Sequence, residues 1–393
     1  MRIGIILSQT PGYSETFFTS KIQGLQSHGC TVQLFVQHVT KDFALCPVKV
    51  APKVHTIAIL QLFKMGWVYA TLLPHLGRVL KFIKLERAEG TTTVSLLKKI
   101  FLNAHLLKAQ LDWVHFGFAT QALGSELVAK AIGAKMGVSF RGFDINVYPI
   151  KFPGCYNRVW KHVDKVHSIS NYLFDKAIGL GLPSHTSHAI ITPAVALNKL
   201  LTTATVVTNE VITLVTIARL HWIKGLDTAI AAVKLLREAG FTFKYHIIGD
   251  GSTKEQERYL FHAYELGVQD CIVFHGALSH TETLQFLKRA DIYVQPSVNE
   301  GFCNAVLEAQ ALGKLVIASN VGGLPENIVD KETGWLVPEG APAALAEKIR
   351  DTLQLPLEEK QAVAQKAIAR VQAHFTIEKQ QKAFVQFYAE EIG

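Results

Sequence analysis

Short apolar runs alternate with helix-period stretches along almost the whole chain, and they do so in two successive series. In the first, strands are expected at 3–7, 31–36, 54–59, 113–116, 138–141, 166–170 and 189–192, with helices such as 16–28 and 120–132 between them. The second places strands at 213–218, 244–248, 272–274, 292–295, 315–318 and 335–337, with helices at 226–239, 253–266, 281–288 and 304–312. Strand–helix alternation of this kind selects parallel, doubly wound sheets covered by helices. At 393 residues the chain is too long for one ordinary core. The Thr-rich stretch 195–210 lacks clean periodicity and reads as the linker. The expected fold class is therefore α/β, with two Rossmann-like domains, 1–197 and 198–375, facing each other across a cleft at the carboxyl ends of both sheets.

Hydrophobic content of 49% and charged content of 18% describe a packed globular protein. No uncharged apolar run reaches the roughly 18 residues that a spanning helix needs. The opening Met1-Arg2-Ile3-Gly4-Ile5-Ile6-Leu7 has too short an apolar core for a signal peptide and reads as a first buried strand. Five scattered cysteines without metal-ligand spacing suit a reducing cytoplasm. The net charge of +8 is unevenly placed. From Leu60 to Lys108 eight basic residues stand against only Glu86 and Glu89, interleaved with Phe63, Trp67, Leu80 and other apolar residues. Such a segment reads either as an anionic membrane surface contact or as ordinary surface helices with their apolar faces inward. No nucleic-acid binding module is visible.

The densest chemistry lies at 295–308, which reads QPSVNEGFCNAVLE. Glu300 and Glu308 are separated by seven residues after a short strand. Asn304 is expected to cap a helix running to Gly313, with Gly301 letting the backbone approach a ligand. Carboxylates beside free N–H groups suit a polyhydroxylated ligand that carries phosphate. The alternative is a solvated loop Glu and a helix-start charge. After the strand 213–218, Arg219 and Lys224 flank a turn with Gly225 at the next helix start. Two cations and a helix N-terminus converging on one point form an anion site.

Together with 311–319 (ALGKLVIAS), these segments resemble family 4 glycosyltransferases of GT-B architecture. The resemblance implies that Glu300 contacts the donor sugar, Glu308 the ribose, and Arg219 and Lys224 the diphosphate, although Ala218 stands where a Gly is frequent. Gly249-Asp250-Gly251 resembles the family's turn near the nucleotide, and Phe274-His275-Gly276 the segment that holds the base. Gly301, Phe302, Cys303 and Asn304 complete the implied donor site, with Cys303 read as packing and not as a nucleophile. Ser14-Glu15-Thr16-Phe17 resembles the subgroup that builds exopolysaccharides such as colanic acid and amylovoran. His115, Arg141 and Asp144 complete the expected acceptor side. Arg141 replaces a frequent His that can contact the donor sugar, and is expected instead to bind a phosphate or an acidic acceptor group. His115 and Asp144 read equally as a satisfied buried His and a capping Asp. The family also implies that the last helix, 376–393, returns to the first domain.

The chain has neither an Asp-X-Asp pair nor a zinc motif, so no metal is expected. Nor is a resident cofactor: the nucleotide-sugar, UDP- or GDP-linked, is a co-substrate. The implied reaction is metal-independent sugar transfer with retention to a glycan or lipid-linked acceptor, in the cytoplasm or at the membrane's inner face. A non-hydrolysing sugar-nucleotide epimerase and a non-catalytic glycan-binding or membrane-associated protein are the competing readings.

Overall fold

The computed structural model describes residues 1–12, 16–197 and 211–389. The chain forms two compact units, Met1–Ile191 with Gln380–Gly393, and Thr192–Lys379. The first unit holds a seven-stranded sheet: β1 (Arg2–Gln9), β2 (Thr31–His38), β3 (Val48–Val50), β4 (Trp113–Phe116), β5 (Lys135–Phe140), β6 (Lys165–Ser168) and β7 (Ser187–Ile190). Every pairing is parallel, in the order β3-β2-β1-β4-β5-β6-β7. The second unit repeats the plan with β8 (Ile212–Ile217), β9 (Phe243–Ile248), β10 (Ile272–Phe274), β11 (Ile292–Gln295), β12 (Leu315–Ser319) and β13 (Trp335–Val337). Its order is β10-β9-β8-β11-β12-β13, again all parallel. Both sheets thus have the Rossmann order, which reverses direction beside the first strand of the unit. Strands β4, β11 and β12 are buried at every residue. This burial explains why they read as continuous apolar runs and not as alternating ones.

Three local expectations fail for identifiable reasons. The stretch 54–59 is not a strand; β3 lies at Val48–Val50, between Pro47 and Pro52. Prolines are tolerated only beside so short an edge strand, because they cannot donate to a ladder. The expected helix 120–132 is a 3-10 turn (Ala119–Ala122) and a short helix (Val128–Ile132), broken by Gly124 in the left-handed region at φ 80°. Asn304 is the first residue of its helix, Asn304–Ala311, whose cap position belongs to Cys303. Most of the expected linker lies outside the described residues. Its first residue, Val195, donates its N–H to Phe375. Ser170 caps the helix Asn171–Gly179 by accepting from the Leu173 N–H.

The C-terminal helix Ile377–Ala389 sends Phe384, Phe387 and Tyr388 into the core of the first unit, among Ile3, Ile5, Phe17 and Trp113. The first long helix, α1 (Thr16–Ser27), adds Lys21, whose Nζ lies 4.4 Å from the Phe384 ring centroid and 5.4 Å from that of Tyr388. Burial pulls the Lys21 pKa well down, and the Arg141 charge adds to this.

A buried polar chain crosses this core. Tyr388 Oη lies 2.7 Å from His115 Nδ1, and His115 Nε2 lies 2.8 Å from Ser139 Oγ. Ser139 Oγ is 2.8 Å from His167 Nδ1, and His167 Nε2 is 2.9 Å from the Ile191 carbonyl. The carbonyl can only accept, so it fixes every proton along the chain. His167 donates from Nε2, and neutral His167 must accept at Nδ1 from Ser139. Ser139 in turn accepts from His115 Nε2–H, and His115 Nδ1 accepts from Tyr388. Burial holds both imidazoles well below their ordinary pKa, with the Lys21 charge second.

The unfolded chain takes up protons near the ordinary histidine value of about 6.5, whereas the folded chain does not. The contribution of these two histidines to stability is therefore complete above about pH 6.5 and falls as the pH drops through that value. A thermal scan from pH 7.5 to 5.5 should show a falling Tm. The Ser139→Ala variant, which strands two buried imidazole nitrogens, should lose about 1–3 kcal/mol in denaturant unfolding at neutral pH.

Candidate active site

In the second unit the sheet order reverses between β8 and β11, so the loops leaving these strands part on either side of a crevice. Both carry the residues singled out from the sequence. After β8, His221 accepts from the Ile223 N–H and starts a tight turn, Trp222–Lys224. Gly225 follows at φ 64°. A Cβ at Gly225 would sit 1.8 Å from the Pro296 carbonyl oxygen, so only glycine admits the β11 loop. The Val298 N–H then donates to the Ile223 carbonyl at 2.9 Å and joins the two loops.

Across this seam Lys224 Nζ meets Glu300 Oε1 in an ion pair. Both side chains are mostly buried, at 17% and 11% exposure. Burial alone would lower the Lys224 pKa, but the Glu300 carboxylate outweighs it and the pKa is raised. The same oxygen lies 3.3 Å from Ser297 Oγ and 3.4 Å from Gln295 Nε2. Gln295 is fully buried and takes a 2.5 Å bond from the Tyr293 hydroxyl. Glu300 is thus positioned from below by β11 and from the side by the β8 loop. Arg219 is exposed, and its charge is near enough to oppose that of Lys224. Two cations and one carboxylate therefore share the mouth of the crevice.

The β11 loop is held from its far side by residues that the motif reading passed over. The Gly323 N–H donates to the Glu300 carbonyl at 2.9 Å, and a Cβ at Gly322 would lie 2.1 Å from that carbonyl oxygen. Asn327, fully buried, receives the Cys303 N–H on Oδ1 at 3.0 Å and gives Nδ2–H to the Cys303 carbonyl at 3.1 Å. The Gly322-Gly323 pair thus clamps the backbone of the β11 loop. Asn327 carried no sequence signal.

The helix Asn304–Ala311 begins at this clamp, and no side chain closes its cap. Gly301 is buried, and Phe302 is buried too, with its ring 5.7 Å from Phe375, so Phe302 offers a ligand backbone groups only. Cys303 is buried, and burial with the Glu300 charge pushes its thiol up to about 12. A thiol that stays protonated does not serve as a nucleophile. One turn into the helix, Glu308 Oε1 lies 2.8 Å from His280 Nε2. His280 opens the helix His280–Arg289, whose Ser279–Glu282 capping box fixes its start. Sequence reasoning missed His280, because nothing in the order of residues links it to Glu308.

The turn after β9 lies against the loop leaving β8. Gly249, at φ 139°, donates its N–H to Gly276, and a Cβ there would lie 1.9 Å from the Ala218 carbonyl oxygen. Asp250 accepts from the Gly251 N–H and from Gln256 Nε2, a turn-stabilising pattern. Phe274 packs on the hydrophobic core. His275 pairs with His246 at 2.8 Å, a structural contact.

The residues expected on the acceptor side fare differently. His115 is fully buried within the polar chain described above, so its side chain is not available to an acceptor. Asp144 is also fully buried and accepts from the N–H groups of Ala119, Arg141 and Gly142 at 2.9–3.0 Å, a structural cap. The Arg141 guanidinium stacks 4.0 Å from the Phe17 ring centroid and 4.7 Å from that of Phe18. Ser14 and Glu15 lie outside the described residues, and Thr16 is the first residue of α1. Among the described residues no cluster of three or more His, Cys, Asp or Glu is placed to hold a metal.

The Glycosyl transferases group 1 family matches residues 204–370, the segment containing all of the crevice residues. The amylovoran biosynthesis glycosyltransferase AmsK of Erwinia amylovora is 27% identical over 365 residues, covering 88% of this chain and 89% of that protein. WcaL of Escherichia coli K12, named for colanic acid biosynthesis, is 28% identical over 68% of this chain and 67% of its own length. Among solved structures, sucrose-phosphate synthase from Thermosynechococcus elongatus superposes with a TM-score of 0.74 at 17% identity over 99% of this chain and 98% of its own. Anabaena HepE in complex with UDP-glucose gives 0.73 at 15% over 99% and 100%. The second unit of this chain is therefore a glycosyltransferase group 1 domain, set in a two-domain GT-B fold.

Proposed function

We propose that this group 1 glycosyltransferase moves a sugar from a nucleoside-diphosphate sugar to a glycan or lipid-linked acceptor hydroxyl in cytoplasmic exopolysaccharide assembly. The observation that carries the reading is the mouth of the crevice, where Arg219 and Lys224 stand beside Glu300 at the topological switch point. A diphosphate leaving group gains negative charge as the glycosidic bond breaks. The cations Arg219 and Lys224 and the uncapped N-terminus of the helix Asn304–Ala311 supply the complementary field without a metal. Glu300 accepts from sugar hydroxyls, and Glu308, steadied by His280, accepts from the ribose diol. With the Cys303 thiol protonated and the Glu300 carboxylate engaged by Lys224, we assign the reaction to same-face attack by the acceptor hydroxyl, with retention. The departing phosphate takes the acceptor's proton. The names of AmsK and WcaL support an exopolysaccharide product, and the UDP-glucose bound to HepE supports a nucleotide-sugar donor.

Arg219→Ala should lower transfer by about 100-fold or more without loss of stability, since the side chain is exposed. Lys224→Ala should do at least as much and also leave Glu300 without its cation. A rate near wild type in the double variant would reject the assignment. Titration calorimetry with UDP and GDP identifies the base. Glu308→Gln and His280→Ala should each weaken whichever nucleotide binds by about 1–3 kcal/mol. A 2′,3′-dideoxyribose analogue should bind wild type and Glu308→Gln alike. Failure of both nucleotides to bind would exclude the donor site.

A further inference from the structure

In α2 (Ala58–Ala70) the usual amphipathic arrangement is reversed. The positions Ile59, Leu62, Phe63, Gly66, Trp67 and Ala70 recur at helical spacing and line one shallow apolar hollow on the surface. Phe63 and Trp67 are 76% and 74% exposed, and Leu62 is 68% exposed. Val68 is the sole buried residue of α2. A surface helix of a globular domain turns its apolar stripe to the core; here the stripe faces solvent.

The charges around it are sorted by sign. The acids of the 60–108 segment are both consumed by the fold. Glu86, on α3 (Leu76–Ala88), is fully buried and paired with Lys99 and Arg158, and Glu89 is paired with Lys161. Lys64, Lys81, Lys84 and Lys98 make no ion pair or hydrogen bond among the described residues. Lys98 lies on α4 (Thr93–Leu102), which is tied to α2 by the bond from the Tyr69 hydroxyl to the Leu97 carbonyl at 2.9 Å. Among the described residues no helix is long and apolar enough to cross a membrane.

We propose that α2 is an interfacial helix that seats on an anionic lipid bilayer, with Phe63 and Trp67 entering the acyl boundary and the unpaired lysines of α2–α4 meeting the headgroups. Aromatic residues on a solvent-facing stripe beside lysines match the two attractions that hold a helix in the plane of a bilayer: apolar burial and headgroup charge. A second copy of the chain fits less well, because an isologous contact would bring two surpluses of positive charge together. The purpose of this seat rests on the lipid-linked acceptor read above; its existence does not.

The test is flotation of the full chain with phosphatidylcholine vesicles, with and without about 30 mol% phosphatidylglycerol, at low and high salt. The chain should float with the anionic vesicles and be released by salt. The Phe63→Ser/Trp67→Ser variant should float about tenfold less while keeping the wild-type Tm. Lys64→Glu/Lys98→Glu should lose the anionic preference, which keeps the proposal testable if the first variant misfolds. Absence of flotation with anionic vesicles, or flotation of both variants equal to that of wild type, overturns it. A wild-type dimer that the double serine variant dissociates, without vesicle binding, would assign the stripe to a second copy and also overturn it. Nucleotide binding is measured on the same samples. Its loss in wild type would fault the donor site and leave the flotation result standing.

Discussion

The seam between the loops leaving β8 and β11 governs the second unit. Gly225 admits the Pro296 carbonyl, Ile223 receives the Val298 N–H, and Lys224 closes on Glu300. A partly buried ion pair gains little net stability when its desolvation is counted, yet removing one partner is costly. Its value here is positional. The lysine is held at the crevice mouth by a carboxylate that is itself anchored to Gln295 and Ser297. A polyanionic ligand arriving at Arg219 would offer the lysine a second partner, so the pair can be shared without either group moving into solvent.

Supporting groups extend this rigidity outward. Asn327 bonds both backbone groups of Cys303, and Gly323 bonds the carbonyl of Glu300. His280 secures Glu308 from a different helix. Each acts on the orientation of a predicted ligand-binding group and not on the ligand itself. Preorganisation of this kind is what separates a site from a collection of suitable side chains.

The parallel sheets, and most strands within a residue or two, were legible because buried strands and amphipathic helices impose different periods. The carboxylates and cations at the switch point were legible through spacing and resemblance. What stayed hidden depends on distance in sequence. Glu308 and His280 are 28 residues apart, and Cys303 and Asn327 are 24 apart, with no periodicity joining either pair. His115 and Asp144 were legible as chemistry but not as location: at strand ends a functional histidine and a buried, satisfied one have the same sequence. Strand β3 was obscured by its two flanking prolines, and Gly124 by a helical pattern that continued on both sides of it.

The hydroxyl of Tyr388 is bonded to His115, 273 residues earlier in the chain. Phe384 and Phe387 fill the same core as Ile3 and Ile5. Domains ordinarily fold as units in the order in which the ribosome delivers them. This one lacks a wall of its interior, and the donor at one end of its buried polar chain, until the second unit has been translated. The first unit therefore waits, incomplete, while the second is made, and the helix Ile377–Ala389 acts as the latch on the segment that was made first.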